Sequence, residues 1–260
     1  TNWTSSTDHA FVLSIFDEYS KYPAEILDRV LFVLVDDGSP QSYELKDWPL
    51  NMIILRVGED IPWNNPGARN LGMLYAKSDK VFVTDIDHQL DPESFRKILK
   101  LPECGRHIWR LPRFAHDGTP LRAHANTFIL SRGRFMRYFG YDEELCGSYA
   151  CDDTLFVKFM KYHGMRVSTL GNGARATIRN LPAVPGGTHT LNRDMSRNKG
   201  IVARKLDEIW NYGPNAGHSR QFLNFEWKTV RVTRRKVPPP EKKQPLWAPG
   251  WWFRWIWAER

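Results

Sequence analysis

The sequence predicts an α/β fold: a mostly parallel central sheet with helices on both faces. Three observations predict it. Strand-length apolar runs recur between residues 10 and 90, helical patterns fall between them, and the runs are continuously apolar rather than alternating. Strands buried on both faces read that way. With 260 residues, 42% hydrophobic and 25% charged, the chain has the composition of one large globular domain.

In chain order, "FVLSIF" (Phe11–Phe16) reads as a first buried strand ending at Asp17. "VLFVLV" (Val30–Val35) is a second, stopped by "DDGSP", whose Gly38 and Pro40 require a turn. "MIILRV" (Met52–Val57) is a third. Asn65-Pro66-Gly67 then opens a helix through Lys77, with Asn65 as cap and Pro66 in the first turn. Val81–Thr84 is the fourth strand, followed by a helix from Pro92 capped by Asp91. In parallel sheets ligands bind at the carboxyl ends of strands. Asp36, Asp37, Asp85 and Asp87 all fall at such ends, so they are expected to share one crevice.

The second half is less regular. Ile108–Leu111 and Thr127–Leu130 read as strands, and Asp152–His163 as a helix with Leu155, Phe156, Phe159 and Met160 on one face and Gly164 as its stop. Residues 180–200 have the Gly, Pro and polar content of a mobile loop. Lys236–Pro245 reads as a polyproline-type linker leading into "LWAPGWWFRWIWAER".

Charge and cysteine usage bound the class. The net charge is +8, and between Arg193 and Lys236 eleven Lys or Arg face four Asp or Glu. A basic end implies an anionic partner: a nucleotide diphosphate, an acidic lipid or a nucleic acid. The basic residues match no nucleic-acid recognition motif, so none is expected. Cys104, Cys146 and Cys151 are odd in number without metal-finger spacing, which predicts reduced thiols and a cytoplasmic setting. Apolar runs fall short of the roughly 20 residues a membrane helix needs.

Four motifs, in order, carry a resemblance. "VLVDDGSP", "NNPGARNLG", "TDIDH" and "GYDEELCGSYACDDTLF" together resemble the nucleotide-sugar glycosyltransferases of the GT-A fold, close to glycosyltransferase family 2. The resemblance covers roughly residues 10–200. It implies a Rossmann-like GT-A domain over 1–235, with a nucleotide-binding half at about 10–100 and an acceptor half at about 101–200. The linker and Trp-rich tail, 236–260, lie outside it.

The resemblance also implies roles. One of Asp36 and Asp37 would accept the imide N–H of uracil, the alternative being an unliganded Asx-type turn. Phe16, at the end of the expected first strand, would cover the base. Arg69 either holds the diphosphate or orients one of the acidic motifs. Asp87 would ligate Mn²⁺ or Mg²⁺, with Asp85 near the ribose or the metal shell, and His189 would complete that shell from the loop. Two carboxylates two positions apart repel unless a cation or donors lie between them. His88 is expected to pack or bond locally. Asp153 matches the general base of an inverting transfer and Asp152 the acid that positions the acceptor, Asp standing where Glu is more usual. Arg193, Arg197 and Lys199 would clamp the diphosphate or form a solvated basic face.

The expected reaction is sugar transfer from a nucleoside-diphosphate sugar, UDP-linked, to a glycan or lipid-linked saccharide. The Trp/Arg tail would pack back on the protein or form an oligomer contact, stack on acceptor sugars, or offer peripheral contact with the inner face of a membrane. The alternatives are a glycan-binding module on a degenerate transferase fold and a nucleotidyltransferase. The latter would show a Gly-rich basic signature near the first strand, which "FVLSIFDEYS" lacks.

Overall fold

The computed structural model describes residues 8–39, 44–179 and 192–235, with side chains from Leu13 onward. His189 and the linker and tail at 236–260 lie outside them. The elements run α1 (Asp8–Tyr19), α2 (Ala24–Leu27), β1 (Leu31–Asp36), β2 (Asn51–Val57), α3 (Asn65–Tyr75), β3 (Lys80–Val83), β4 (His88–Gln89) and α4 (Pro92–Leu99). Then follow β5 (His107–Arg110), β6 (Arg113–Phe114), β7 (Pro120–Leu121), β8 (Phe128–Ser131), α5 (Arg132–Arg137), a 3-10 turn (Glu143–Leu145), α6 (Asp152–Tyr162), β9 (Arg166–Thr169), β10 (Ala176–Ile178), α7 (Ser196–Tyr212) and β11 (Trp227–Thr233).

The architecture is mixed α/β, and two expectations are corrected. The first concerns residues 11–16, which form part of α1 rather than a strand. A short apolar run fits either element until its neighbours are known. Here Leu13, Phe16 and Tyr19 are buried at helical spacing while Glu18 is exposed. Phe16 is therefore a core residue, packed on Phe32 and Trp48 with ring centroids 6.1 and 5.4 Å away. Its expected place at a strand end, over a base, loses its premise.

The second correction is strand direction. Three described sheets form, in the orders β1-β2-β11, β4-β10-β6-β7 and β3-β8-β5-β9. Among their pairings only β1–β2, β5–β9 and β6–β10 are parallel. β8 returns between β3 and β5, antiparallel to both, and β11 adds antiparallel to β2. Continuous apolar character reports burial on two faces and says nothing about direction.

Burial follows the sequence pattern. β2 is buried along its length apart from the half-buried Arg56, as befits a strand paired on both edges. Leu71 of α3 packs with Ile53, Leu55, Val57 and Phe225. Phe156 and Met160 of α6 pack with Phe128, Leu130, Phe135 and Tyr141. Each such side chain contributes about 1.5–3 kcal/mol of hydrophobic stabilisation relative to exposure. Asp91 caps α4 as expected, accepting from the Ser94 amide at 2.6 Å. No described helix is long and apolar enough to cross a membrane.

Candidate functional site

The start of α3 gathers the acidic motifs. In its sequence, "NNPGARN", every polar side chain has a distant partner. Asn64 precedes the helix and donates to Asp37 Oδ1 at 2.7 Å, so its side chain makes no capping bond. Asn65 donates to Asp152 Oδ2 at 3.0 Å. Asn70 exchanges bonds with both backbone groups of Tyr141 and donates to Glu143.

Arg69 lies four residues after Asn65, on the same helix face. Its guanidinium donates to Asp85 Oδ1 at 2.6 Å, Asn126 Oδ1 at 2.7 Å and Tyr141 Oη at 2.9 Å. It also lies 5.3 Å from the Tyr141 ring centroid. The side chain is only 8% exposed; burial alone would weaken its protonation, but Tyr141, Asp85, Asp152 and Asp153 raise its pKa further. Arg69 is thereby tied to an acid of the "TDIDH" motif.

Tyr141 continues the chain of contacts. Its ring stacks on Phe156 at 4.2 Å and 8°, tying α6 to the arginine. Asp152 and Asp153 open α6, where the helix dipole favours ionised carboxylates. Even so, burial and the neighbouring Asp152 push the Asp153 carboxyl up to about 7, Arg69 opposing them. A carboxyl with that pKa is poised to take a proton near neutral pH.

Asp85 and Asp87 stand beyond the end of β3, in a turn closed by the His88 amide on the Asp85 carbonyl at 3.2 Å. They face different partners. Asp85 Oδ2 lies 3.6 Å from His124 Nδ1, its other oxygen being held by Arg69. Asp87 Oδ1 is bonded to His88 Nδ1 at 2.6 Å, the local bond expected of His88. Burial works against Asp87 ionisation, but His88, with His124 and Arg113 nearby, holds the carboxyl below its ordinary range. The two acids are 24% and 49% exposed. Among the described residues no group of three His, Cys, Asp or Glu is placed to hold a metal. Carboxylate oxygens beside imidazole suit a divalent ion chemically, and His88 Nε2 is buried without a hydrogen-bond partner.

At the end of β1 the geometry is that of a turn. Asp36 Oδ1 accepts from the Ser39 amide at 2.9 Å, and its other oxygen lies 3.6 Å from Arg56 Nε. Asp37 is buried, which raises its pKa despite Asn64. Both acids are held inside the protein. Arg197 likewise donates to the carbonyls of Cys146 and Glu144. A cavity of about 450 Å³ lined by Arg137, Tyr138, Phe139, His163, Asn215 and Arg220 lies at the opposite end of α6 from Asp152 and Asp153.

Asn65, His124, Asn126 and Tyr141 were not singled out from the sequence. Asn65 reads from the sequence as a cap, Tyr141 lies inside the "GYDEELCGSYACDDTLF" motif with no role assigned to it, and His124 and Asn126 stand in a segment without paired acids or glycine signatures. The i, i+4 spacing of Asn65 and Arg69 was the one available signal.

No protein-family model matches the chain, and no curated protein matches it. Solved structures do match it in fold. Residues 1–349 of S. aureus TarS in complex with UDP-GlcNAc align with a TM-score of 0.55 at 12% identity, over 76% of this chain and 62% of that one. A second structure of TarS 1–349 gives 0.51 at 15%, over 68% and 58%. GalNAc-T7 with UDP, GalNAc and Mn²⁺ gives 0.50 at 14%, over 74% and 45%. The chain spans less than two thirds of each of these chains. At such identities the likeness establishes the fold, and it is the GT-A fold that the motifs implied.

Proposed function

We propose that the chain transfers a sugar from a nucleoside-diphosphate sugar, UDP-linked, onto a hydroxyl of a glycan or lipid-linked saccharide with inversion. The observation that carries this reading is the Arg69 hub, through which an acid of the "TDIDH" motif and the acid pair at the start of α6 share one cation. The neighbours bound to UDP-GlcNAc and to UDP with Mn²⁺ support the donor class.

Asp153 takes the proton of the attacking hydroxyl, its raised pKa leaving it basic enough to do so near neutrality. Asn65 holds Asp152 beside it, where the carboxylate orients the acceptor for in-line attack. Arg69 keeps Asp85 in register with that pair. Asp36 and Asp37 shape the turn against which the base lies. Asp87 would hold Mn²⁺ or Mg²⁺ with Asp85 and His189, and the bound ion would neutralise the departing diphosphate. A non-catalytic glycan-binding module would have no use for a carboxyl tuned as Asp153 is.

Calorimetric titration of UDP, GDP, dTDP and CMP, each with Mn²⁺ and with EDTA, tests this on wild type and Asp87→Ala. The expected result is binding of UDP that requires both the ion and Asp87. Binding indifferent to both would remove the metal reading. No binding of any nucleotide would remove the transferase reading.

A further inference from the structure

We propose that Asn198 is a positioning residue for the base: by gathering the carbonyls of the 145–150 segment, it fixes the backbone turn from which Asp152 and Asp153 enter α6. This rests on the reading of Asp153 as the base.

The side chain of Asn198 is fully buried. Its Nδ2 donates to the carbonyls of Leu145 at 3.1 Å, Ser148 at 2.8 Å, Tyr149 at 3.3 Å and Ala150 at 2.9 Å. A primary amide has two N–H groups, so four acceptors share them. Four carbonyls turned toward one point repel one another unless a donor sits there. The segment needs such a donor because its end is strained. Ala150 and Cys151 are consecutive non-glycine residues in the left-handed region, at φ 67 and 73, a conformation that L side chains disfavour. Cys151 is the N-cap of α6 and makes no side-chain capping bond, so the helix start is held from outside.

Asn198 belongs to a continuous attachment along α7. Arg197 donates to the carbonyls of Cys146 at 3.1 Å and Glu144 at 3.2 Å. Lys205, seven residues on and on the same helix face, is 1% exposed and reaches Asp142 Oδ2 at 2.6 Å and Glu144 Oε2 at 2.7 Å. Lys205 anchors α7 independently of Asn198, so removing the amide should loosen residues 145–151 while leaving the helix docked.

The loosening is readable at Asp153. The charged and titratable groups facing that carboxyl are Asp152, Arg69, Tyr141 and Cys151. Of these, Asp152 and Cys151 move with the turn, and water would enter as it relaxes. Solvation lowers the pKa of a buried acid.

The test uses the full chain with ¹³Cγ-labelled aspartate, the Asp153 signal being assigned by its loss in Asp153→Asn. Asn198→Ala and the isosteric Asn198→Asp, whose ionised form cannot donate, are compared with wild type. Expected are a fall of at least about one unit in the Asp153 titration midpoint and amide exchange across 145–151 faster by roughly tenfold or more. UDP affinity with Mn²⁺ should stay within about threefold of wild type, the donor side being untouched. A folded variant whose Asp153 titration and 145–151 exchange match wild type overturns the proposal. Unfolding of both variants also overturns it, by making Asn198 a stability residue. Failure of wild type to bind UDP would count against the transferase reading instead, and it leaves the titration result intact.

Discussion

Asp153 carries the clearest conflict between stability and chemistry. Its folded pKa, about 7, lies above the ordinary value of 3.8. A group raised in this way lends its full stability below the unfolded pKa and loses it as pH rises through the folded one. The fold should therefore weaken between about pH 4 and 7 on account of this group. Asp153→Asn removes the ionisation and, with it, the base of the proposed mechanism. It is expected to lower transfer by about 10²–10⁴-fold while stabilising the protein at pH 8 by up to roughly 4 kcal/mol. The stability gain should vanish at pH 4, which urea titrations at the two pH values would reveal. A variant no more stable at pH 8 than wild type would mean that Asp153 ionises without penalty.

At the scale of the element, α3 shows why its motif contains two glycines of unlike importance. A Cβ on Gly67 would lie 2.3 Å from Asn64 Oδ1 and 2.5 Å from Phe225 Cε1. It would displace the side chain that holds Asp37 and the ring that closes the β2 core. A Cβ on Gly72 would meet Val35 Cγ2 at 3.5 Å, an ordinary contact. Gly67→Ala should thus cost about 1–3 kcal/mol as overpacking. Gly72→Ala should stabilise by about 0.5–1 kcal/mol through helix propensity. Thermal melts of the two single variants separate these outcomes. Equal effects of the two would refute the close approach at Gly67.

Across the whole molecule, α7 is the fastening that brings the C-terminal part of the described chain onto the segment that leads into α6. Asp142 receives Lys205, and Ser219 bonds both of its oxygens. Burial resists Asp142 ionisation, but His218, Lys205 and Ser219 keep its carboxyl below the usual range. Lys205→Ala removes the cation from the buried Asp142, while Glu144 keeps Arg204, and should cost about 3–5 kcal/mol, measured by urea unfolding at pH 7. A loss under about 1 kcal/mol would show that water reaches the pair as at a surface bridge.

The sequence by itself determined where the acidic motifs lie and what the strongest local elements are. The acids of "DDGSP", "TDIDH" and "CDDTLF" were legible because carboxylates cluster there. α6 was legible because Leu155, Phe156, Phe159 and Met160 repeat at helical spacing, and β2 because a long β-branched and aliphatic run suits a central strand. Tertiary structure decided the rest. Whether residues 11–16 coil or extend depends on what covers Phe16, and strand direction depends on how the chain returns, neither of which a local pattern encodes. The partners of the acids were equally hidden. Arg69 meets Asp85 across 16 residues and Asn65 meets Asp152 across 87, and such bonds are set by where packed elements place their ends. A hydrogen bond needs both groups within about 3 Å, and only the assembled core fixes distances that finely.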